Sequence, residues 1–475
     1  HFLTSSRQRC YRFAVRFMLL DRCVLRPASL MLVSSRRVPS PKGVGPTGLL
    51  ICMTLAALLV PLAGALSTDR GSPESSARSL SHLVYEYLGT TDPDRASLLL
   101  VHILKDPRAD LDTVGMLIGE GRPYGMEPIG AQPGLPVRVR DRDYQYGLFV
   151  PPSYRPTKEY ALVVCLHGAG FTGDTYLERW QTRLGEDYLL ACPTLMQGTW
   201  WSRPAEDLVL ATIHAVRSRY RVDPDRMFLT GMSNGGIGTF LIGVHQAPRF
   251  AGLAPMAGGL DDVLFPFLEN LRDTPVYLIH GLNDQVMPVE LSRSVAKELT
   301  RLGYPVVYRE HDRVHSLAGG HFFPREELPD LVAWFGSRRR DPVPKRVTVV
   351  RDATHLMAFA WVRIDATDRI AAFTERLIDG QDEAIVNRVY AKLDAEIVAS
   401  NRIEVRTRLV RRYTVFLNQK LVDLAKPVTI VTDGRVSFEG LVVPTVETLL
   451  RDARLRQDRG MLFPAMLSIS VERGP

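Results

Sequence analysis

From position 137 onward the chain alternates between two hydrophobic periods. Residues 144–150 (YQYGLFV) follow a period of two, and 160–166 (YALVVCL) are apolar without a break. Further short apolar runs occupy 188–192, 227–230, 252–256, 276–279 and 306–309. Between several of them, 176–184, 206–220, 237–246, 288–302 and 326–335 repeat apolar residues at three- and four-residue spacing. Continuous apolar runs suit strands buried on both faces, and the intervening 3.6-residue period suits helices that cover them. The pattern predicts an α/β architecture with a doubly wound, mostly parallel sheet. Right-handed crossovers then place the C-terminal ends of the parallel strands on one edge, where loops can build a site.

The flanks read differently. Helical spacing at 75–88, 96–104 and 113–118 gives way to a Gly/Pro-rich stretch ending at 134, a short helical preface and a loop,. At 337–344 (SRRRDPVP) the strand-helix alternation stops, and this stretch is expected to be an exposed linker,. Beyond it, 346–350, 358–364, 402–408, 413–417, 428–432 and 436–441 read as strands and 445–457 as a helix. The expected organisation is a leader over 1–66, the preface over 67–135, the α/β domain over 136–340 and a small β-rich accessory domain over 341–475. A cut at the linker is expected to leave a soluble α/β piece.

Charge changes the picture only at the N-terminus. Of 59 Lys and Arg residues and 52 acids in the 475, the first 66 residues hold nine bases and one acid. The rest keeps 50 bases against 51 acids, so the formal charge of +7 belongs to the leader and gives no basic face for a nucleic acid,. In that leader Arg36, Arg37 and Lys42 precede an apolar segment at 48–62, followed by Ala63-Gly64-Ala65, the form of an export signal with its cleavage site,. The apolar segment is shorter than the roughly 20 residues a spanning helix needs. Export to the periplasm or the exterior, with no lasting membrane association, is therefore expected, and translation is expected to start at Met31. A retained N-terminal anchor is the alternative. Of five cysteines only Cys165 and Cys192 lie beyond the leader, both in apolar runs where inert buried thiols are the ordinary reading,.

The candidate chemistry centres on Gly231-Met232-Ser233-Asn234-Gly235, a G-x-S-x-G pattern with a strand before it and a helix after it. By itself the pattern arises by chance in about one chain in six of this length, so its flanks give it its weight. A sharp strand-to-helix turn lifts a serine hydroxyl above the sheet edge beside a helix N-terminus. Upstream, His167-Gly168-Ala169-Gly170 closes another strand. The backbone N–H groups of Ala169 and Asn234 are the expected oxyanion donors, with His167 bracing the loop. The nucleophile needs a base and the base an orienting acid. Asp284 follows the strand at 276–279, and Asp261 and Asp262 are its rivals. His321, in the glycine-hinged loop Gly319-Gly320-His321, is the expected base ahead of His315 and His311. Trp200 and Trp201 follow the strand at 188–192 and lie where they would either stack on a substrate ring or pack a lid.

These motifs, with Val222-Asp223-Pro224-Asp225-Arg226, His280-Gly281-Leu282-Asn283-Asp284 and Gly320-His321-Phe322-Phe323-Pro324, resemble secreted polyhydroxybutyrate-depolymerase-like and feruloyl or acetylxylan-type esterases of the α/β-hydrolase superfamily. The likeness spans roughly 144–336. It implies a secreted bacterial serine esterase acting on small or polymeric esters through an acyl-enzyme, with neither metal nor cofactor. Two other readings share some of these features. A prolyl-oligopeptidase-like peptidase has the same order of triad residues, but only 67–143 lie between leader and sheet, too little for its usual N-terminal cap. An inactive carbohydrate-binding protein would have no use for an intact triad.

Overall fold

Three helices open the described part of the chain, and a side chain caps each. For α1 (Leu80–Gly89), α2 (Pro93–Lys105) and α3 (Leu111–Glu120), the caps Ser79, Asp92 and Asp110 accept backbone N–H groups of the first turn,. The computed structural model describes residues 79–184, 187–372 and 383–472. The expected signal segment and the Met31 start lie outside them. All described residues fall in one compact unit, and no described helix is long and apolar enough to cross a membrane.

The central sheet has eight strands: β1 (Gly130–Val139), β2 (Arg142–Val150), β3 (Tyr160–Leu166), β4 (Tyr188–Thr194), β5 (Val222–Met232), β6 (Gly252–Met256), β7 (Val276–Gly281) and β8 (Val306–His311). Their order is β1-β2-β4-β3-β5-β6-β7-β8. The first two strands pair antiparallel and the rest run parallel, the arrangement of the α/β-hydrolase fold. Helices α4 (Gly173–Leu184), α5 (Arg203–Arg217), α6 (Asn234–Gln246), α7 (Val289–Arg301) and α8 (Leu328–Ser337) connect and cover the sheet. Strand β1 begins inside the Gly/Pro stretch that its composition marks as a loop. It lies at the sheet edge, where Pro133 interrupts no second ladder, and a bulge between Gln132 and Leu135 absorbs the irregularity,. Cys165 and Cys192 sit on neighbouring strands β3 and β4 as free, buried thiols.

The C-terminal region adds two small sheets. One is built from β9 (Arg346–Arg351), β11 (Ala391–Ala399), β12 (Arg402–Arg408), β14 (Val428–Thr432) and β15 (Arg435–Gly440). The other holds β10 (Val362–Thr367), β13 (Val410–Leu417) and β16 (Ala465–Ser470). A short helix, α9 (Glu383–Val386), precedes β11, and α10 (Val446–Arg456) precedes β16.

The exposed linker expected at 337–344 takes a different form. Arg340 turns inward, its side chain only 2% exposed, and grips Asp458 through both Nη atoms at 2.6 and 2.7 Å and Asp225 through Nε at 3.0 Å. Five donors on one planar group let it bridge the start of β5 to the loop after α10. Leu449 and Leu450 of α10 share one hydrophobic cluster with Leu83, Leu99, Ile103 and Val114 of the first three helices. Buried Asn270 exchanges hydrogen bonds with Val350 of β9, at 3.1 Å from Nδ2 to the carbonyl and 2.6 Å from the backbone N–H to Oδ1. The C-terminal β region is thus anchored to the first three helices and to the sheet-bearing part.

Candidate active site

Ser233 stands between β5 and α6 with φ 60° and ψ −123°, a left-handed conformation that L residues rarely adopt and that surrounding contacts must hold,. Its N–H donates to Met256 O at 3.0 Å and its carbonyl accepts from Ile237 N at 3.0 Å. A Cβ on Gly235 would lie 2.1 Å from Leu166 O, so the second glycine of the motif admits no other residue. Asn234 is the first residue of α6, so its N–H has no acceptor within the helix,. Ala169 is exposed in the loop that follows β3, and Gly168 beside it packs against Met232 and Ser233.

Asp284 follows β7 with its side chain fully buried. Its Oδ1 accepts the backbone N–H groups of Val286 and Met287, each at 2.8 Å, and its Oδ2 lies 2.7 Å from His321 Nδ1. Burial alone would raise its pKa. Hydrogen bonds from His280 and His321 and from the Met287 backbone outweigh burial and hold the carboxyl well below the usual range,. Gly320 lies against the backbone of Asn283 and Asp284, where a Cβ would come within 2.4 Å, so its lack of a side chain brings the His321 loop onto the acid.

Of the three histidines, only His321 is hydrogen-bonded to Asp284. His311 Nε2 lies 3.1 Å from Phe322 O, and His315 is exposed, its Nδ1 accepting Leu317 N at 3.2 Å. Asp261 caps the 3₁₀ helix Asp262–Leu271, and Asp262 pairs with Arg388. In the sequence His280 stands only as the first residue of the motif that ends at Asp284, with no role of its own. Its Nε2 lies 2.9 Å from Met287 O and 3.3 Å from Asp284 Oδ2, and its Nδ1 lies 2.5 Å from Ser292 Oγ. It fixes the turn that carries the acid.

The brace expected of His167 is present: its Nε2 accepts Leu195 N at 3.0 Å, and its carbonyl accepts the Trp200 indole N–H at 2.8 Å. That contact decides between the two readings of the tryptophans. Trp200 is 2% exposed and packs against the His167 loop, Trp201 is 9% exposed, and neither offers an open platform. Apolar side chains exposed on the same edge come instead from Phe171, Met196, Leu282, Val314 and Leu317, in the loops after β3, β4, β7 and β8.

One buried cluster has metal-ligand spacing: Glu206, His245 and His355. The two imidazoles stack with centroids 3.6 Å apart and planes 7° apart. Nitrogen lone pairs lie in the ring planes, so parallel stacked rings do not converge on one ion. The groups form a proton-holding clamp instead. His355 Nδ1 lies 2.8 Å from Asp352 Oδ1 and Nε2 3.0 Å from Glu206 Oε2, so each ring nitrogen meets a carboxylate. Burial would lower the pKa of His355, but these two carboxylates raise it. A raised histidine contributes stability that is complete below its unfolded value of about 6.5 and is lost as pH rises through the folded value. The melting temperature is therefore expected to fall with pH above about 6.5, and His355→Gln is expected to flatten that fall. An equal slope in wild type and variant would refute the clamp.

The central sheet has the α/β-hydrolase fold, and Ser233, Asp284 and His321 follow the C-terminal ends of β5, β7 and β8 on one edge of it. Over 173 residues the chain is 28% identical to a probable feruloyl esterase C of Aspergillus terreus, covering 34% of this chain and 63% of that enzyme. The likeness to feruloyl esterase C of Emericella nidulans is 28% over 174 residues, with the same coverage. Acyl-protein thioesterase 1 of Gibberella zeae is 30% identical over 117 residues, 23% of this chain and 47% of that protein. The chain thus spans less than two thirds of the curated relatives it matches. Among solved structures a thermostable esterase superposes with a TM-score of 0.37 at 26% identity, covering 44% of this chain and 64% of that one. No family model matches. The chain is feruloyl-esterase-like over about a third of its length.

Proposed function

We propose that this protein is a serine esterase that hydrolyses carboxylic esters through an acyl-enzyme. Ser233 Oγ attacks the ester carbonyl and gives its proton to His321 Nε2, while Asp284 orients the ring and stabilises the imidazolium. The N–H groups of Ala169 and Asn234 receive the oxyanion. The imidazolium then protonates the leaving alkoxide. Water repeats the sequence on the acyl-enzyme, releasing the acid and restoring Ser233. The observation that carries this reading is the 2.7 Å contact between His321 Nδ1 and the buried, ionised Asp284, on the sheet edge where the Ser233 turn ends β5. The feruloyl esterase C likeness and the apolar residues along the same edge favour a substrate with an aryl or other apolar acyl group, free or on a polymer. Export by the leader accords with a polymeric substrate.

The test is turnover on a panel of p-nitrophenyl acyl esters, feruloyl esters, acetylated xylan, polyhydroxybutyrate and peptide amides. Hydrolysis of amides but not esters would overturn the esterase reading. His321→Ala is expected to lose activity by several orders of magnitude, whereas His315→Ala keeps most of it. The reverse result would move the base to the exposed loop.

A further inference from the structure

At the far end of the central sheet from Ser233, a cavity of about 450 Å³ opens between α1, α3, α5 and α10. Val222, the first residue of β5, lines it. Val222 pairs with Tyr160 and Gly231 with Leu166, six strand steps apart, so about 20 Å of sheet separates the cavity from the serine turn,. Its walls carry five arginines, Arg122, Arg217, Arg249, Arg456 and Arg459, against a single acid, Asp458.

That acid is taken. Asp458 is held by both Nη atoms of Arg340. Arg456 pairs with Asp452 and Arg459 with Glu159. Among the described residues no carboxylate forms an ion pair with Arg217 or Arg249. Arg217 donates to Gln457 O, and Arg249 donates to Arg456 O at 3.1 Å and to Gln246 Oε1 at 3.0 Å, all neutral acceptors. Burial lowers the pKa of both, that of Arg249 to about 10, with Asp458 offsetting it in part. Holding two further cations beside a carboxylate already gripped by Arg340 is unfavourable unless another anion joins them,. Capping the C-terminal carbonyls of α10 accounts for one N–H of each guanidinium, not for the open space beside them.

We propose that this cavity binds a small amphipathic organic anion, a carboxylate with a hydrocarbon or aryl body. Its head lies between Arg217 and Arg249, and its body lies against Leu88, Ile118, Leu210 and Ile213. The volume is in the range of small-ligand sites. Such a ligand touches no residue of the serine site. Because the first helices, the sheet-bearing part and α10 all contribute walls, it favours the assembled fold over the unfolded chain.

The test is titration calorimetry of the full chain with octanoate and with inorganic phosphate, before and after a fluorophosphonate treatment that blocks Ser233. Saturable octanoate binding is expected in both states. Arg217→Gln and Arg249→Gln are each expected to weaken it about tenfold or more. Leu210→Trp fills the cavity without touching its charge and is expected to abolish binding, with circular dichroism and p-nitrophenyl acetate hydrolysis unchanged. No saturable octanoate binding, binding that all three substitutions leave intact, or phosphate binding as tight as octanoate would each overturn the proposal. Failure of ester hydrolysis in the wild type would bear on the esterase reading alone, since the binding is measured apart from turnover.

Discussion

Ser233→Ala is expected to abolish ester hydrolysis, lowering kcat by roughly four to six orders of magnitude while leaving the fold intact. The loss is large because nucleophile, base and acid act as a unit: without Oγ there is no acyl-enzyme, and His321 has no proton to accept. The fold is expected to survive because the hydrogen bonds that hold Ser233 are made by its backbone, N–H to Met256 O and carbonyl to Ile237 N, and alanine keeps the Cβ that packs against Gly168. Alanine tolerates the positive φ no better and no worse than serine, so the melting temperature should move little. The double variant Ser233→Ala/His321→Ala is expected to be no slower than either single variant. Turnover within tenfold of wild type in Ser233→Ala would sink the serine mechanism, and strictly multiplicative losses in the double variant would show that the two residues do not act together.

The parts of this molecule that were legible in the sequence are those encoded by neighbours along the chain. Continuous apolar runs marked β3, β4, β6 and β7, where burial on both faces leaves little room for polar residues. The serine turn and the His321 loop were legible because tight backbone approach at Gly235 and Gly320 excludes side chains, and that requirement is written locally. Trp200 was ambiguous for a physical reason: an indole on a site-edge loop suits a platform or a core equally, and only its hydrogen bond to His167 O decides. Strand β11 was missed because Lys392, Asp394 and Glu396 alternate with the small inward residues Ala391 and Ala395, a composition as acceptable in a helix. The clamp of Glu206 and His355 and the ion pair of Arg340 and Asp458 join residues 149 and 118 positions apart, which no local pattern encodes. The Arg/Pro-rich stretch looked like a linker because three successive arginines suit solvent, and nothing in the sequence says that the third turns inward.

That inward arginine bears on the largest stability effect expected here. A chain ending at residue 340 keeps Ser233, Asp284, His321 and the proposed oxyanion donors Ala169 and Asn234, yet it is expected not to fold. Deleting Asp458 and Gly460 strips Arg340 of its two-pronged partner and of the chain that covers it, leaving Asp225 alone to hold it. Deleting α10 removes Leu449, Leu450 and Ala453 from the cluster that buries α1, α2 and α3. Each large apolar side chain so lost from a core costs about 2–5 kcal/mol. Asn270 loses both hydrogen bonds to Val350, and Glu206 loses His355. Domains are stable by only about 5–15 kcal/mol in total, so the sum of these losses exceeds what the remaining sheet can absorb. The C-terminal β region would then take no part in bond cleavage while being required for the structure that performs it. The measurement is a cooperative thermal melt and p-nitrophenyl acetate turnover for residues 79–340, beside the full chain and beside Arg340→Met in the full chain. The truncated chain should show no cooperative transition, and Arg340→Met should melt lower than wild type but still cooperatively, since it leaves Asp458 buried without its main partner while every apolar contact of α10 stays in place,. A truncated chain that melts cooperatively and turns over the ester at the wild-type rate would show that the sheet-bearing part is an independent domain.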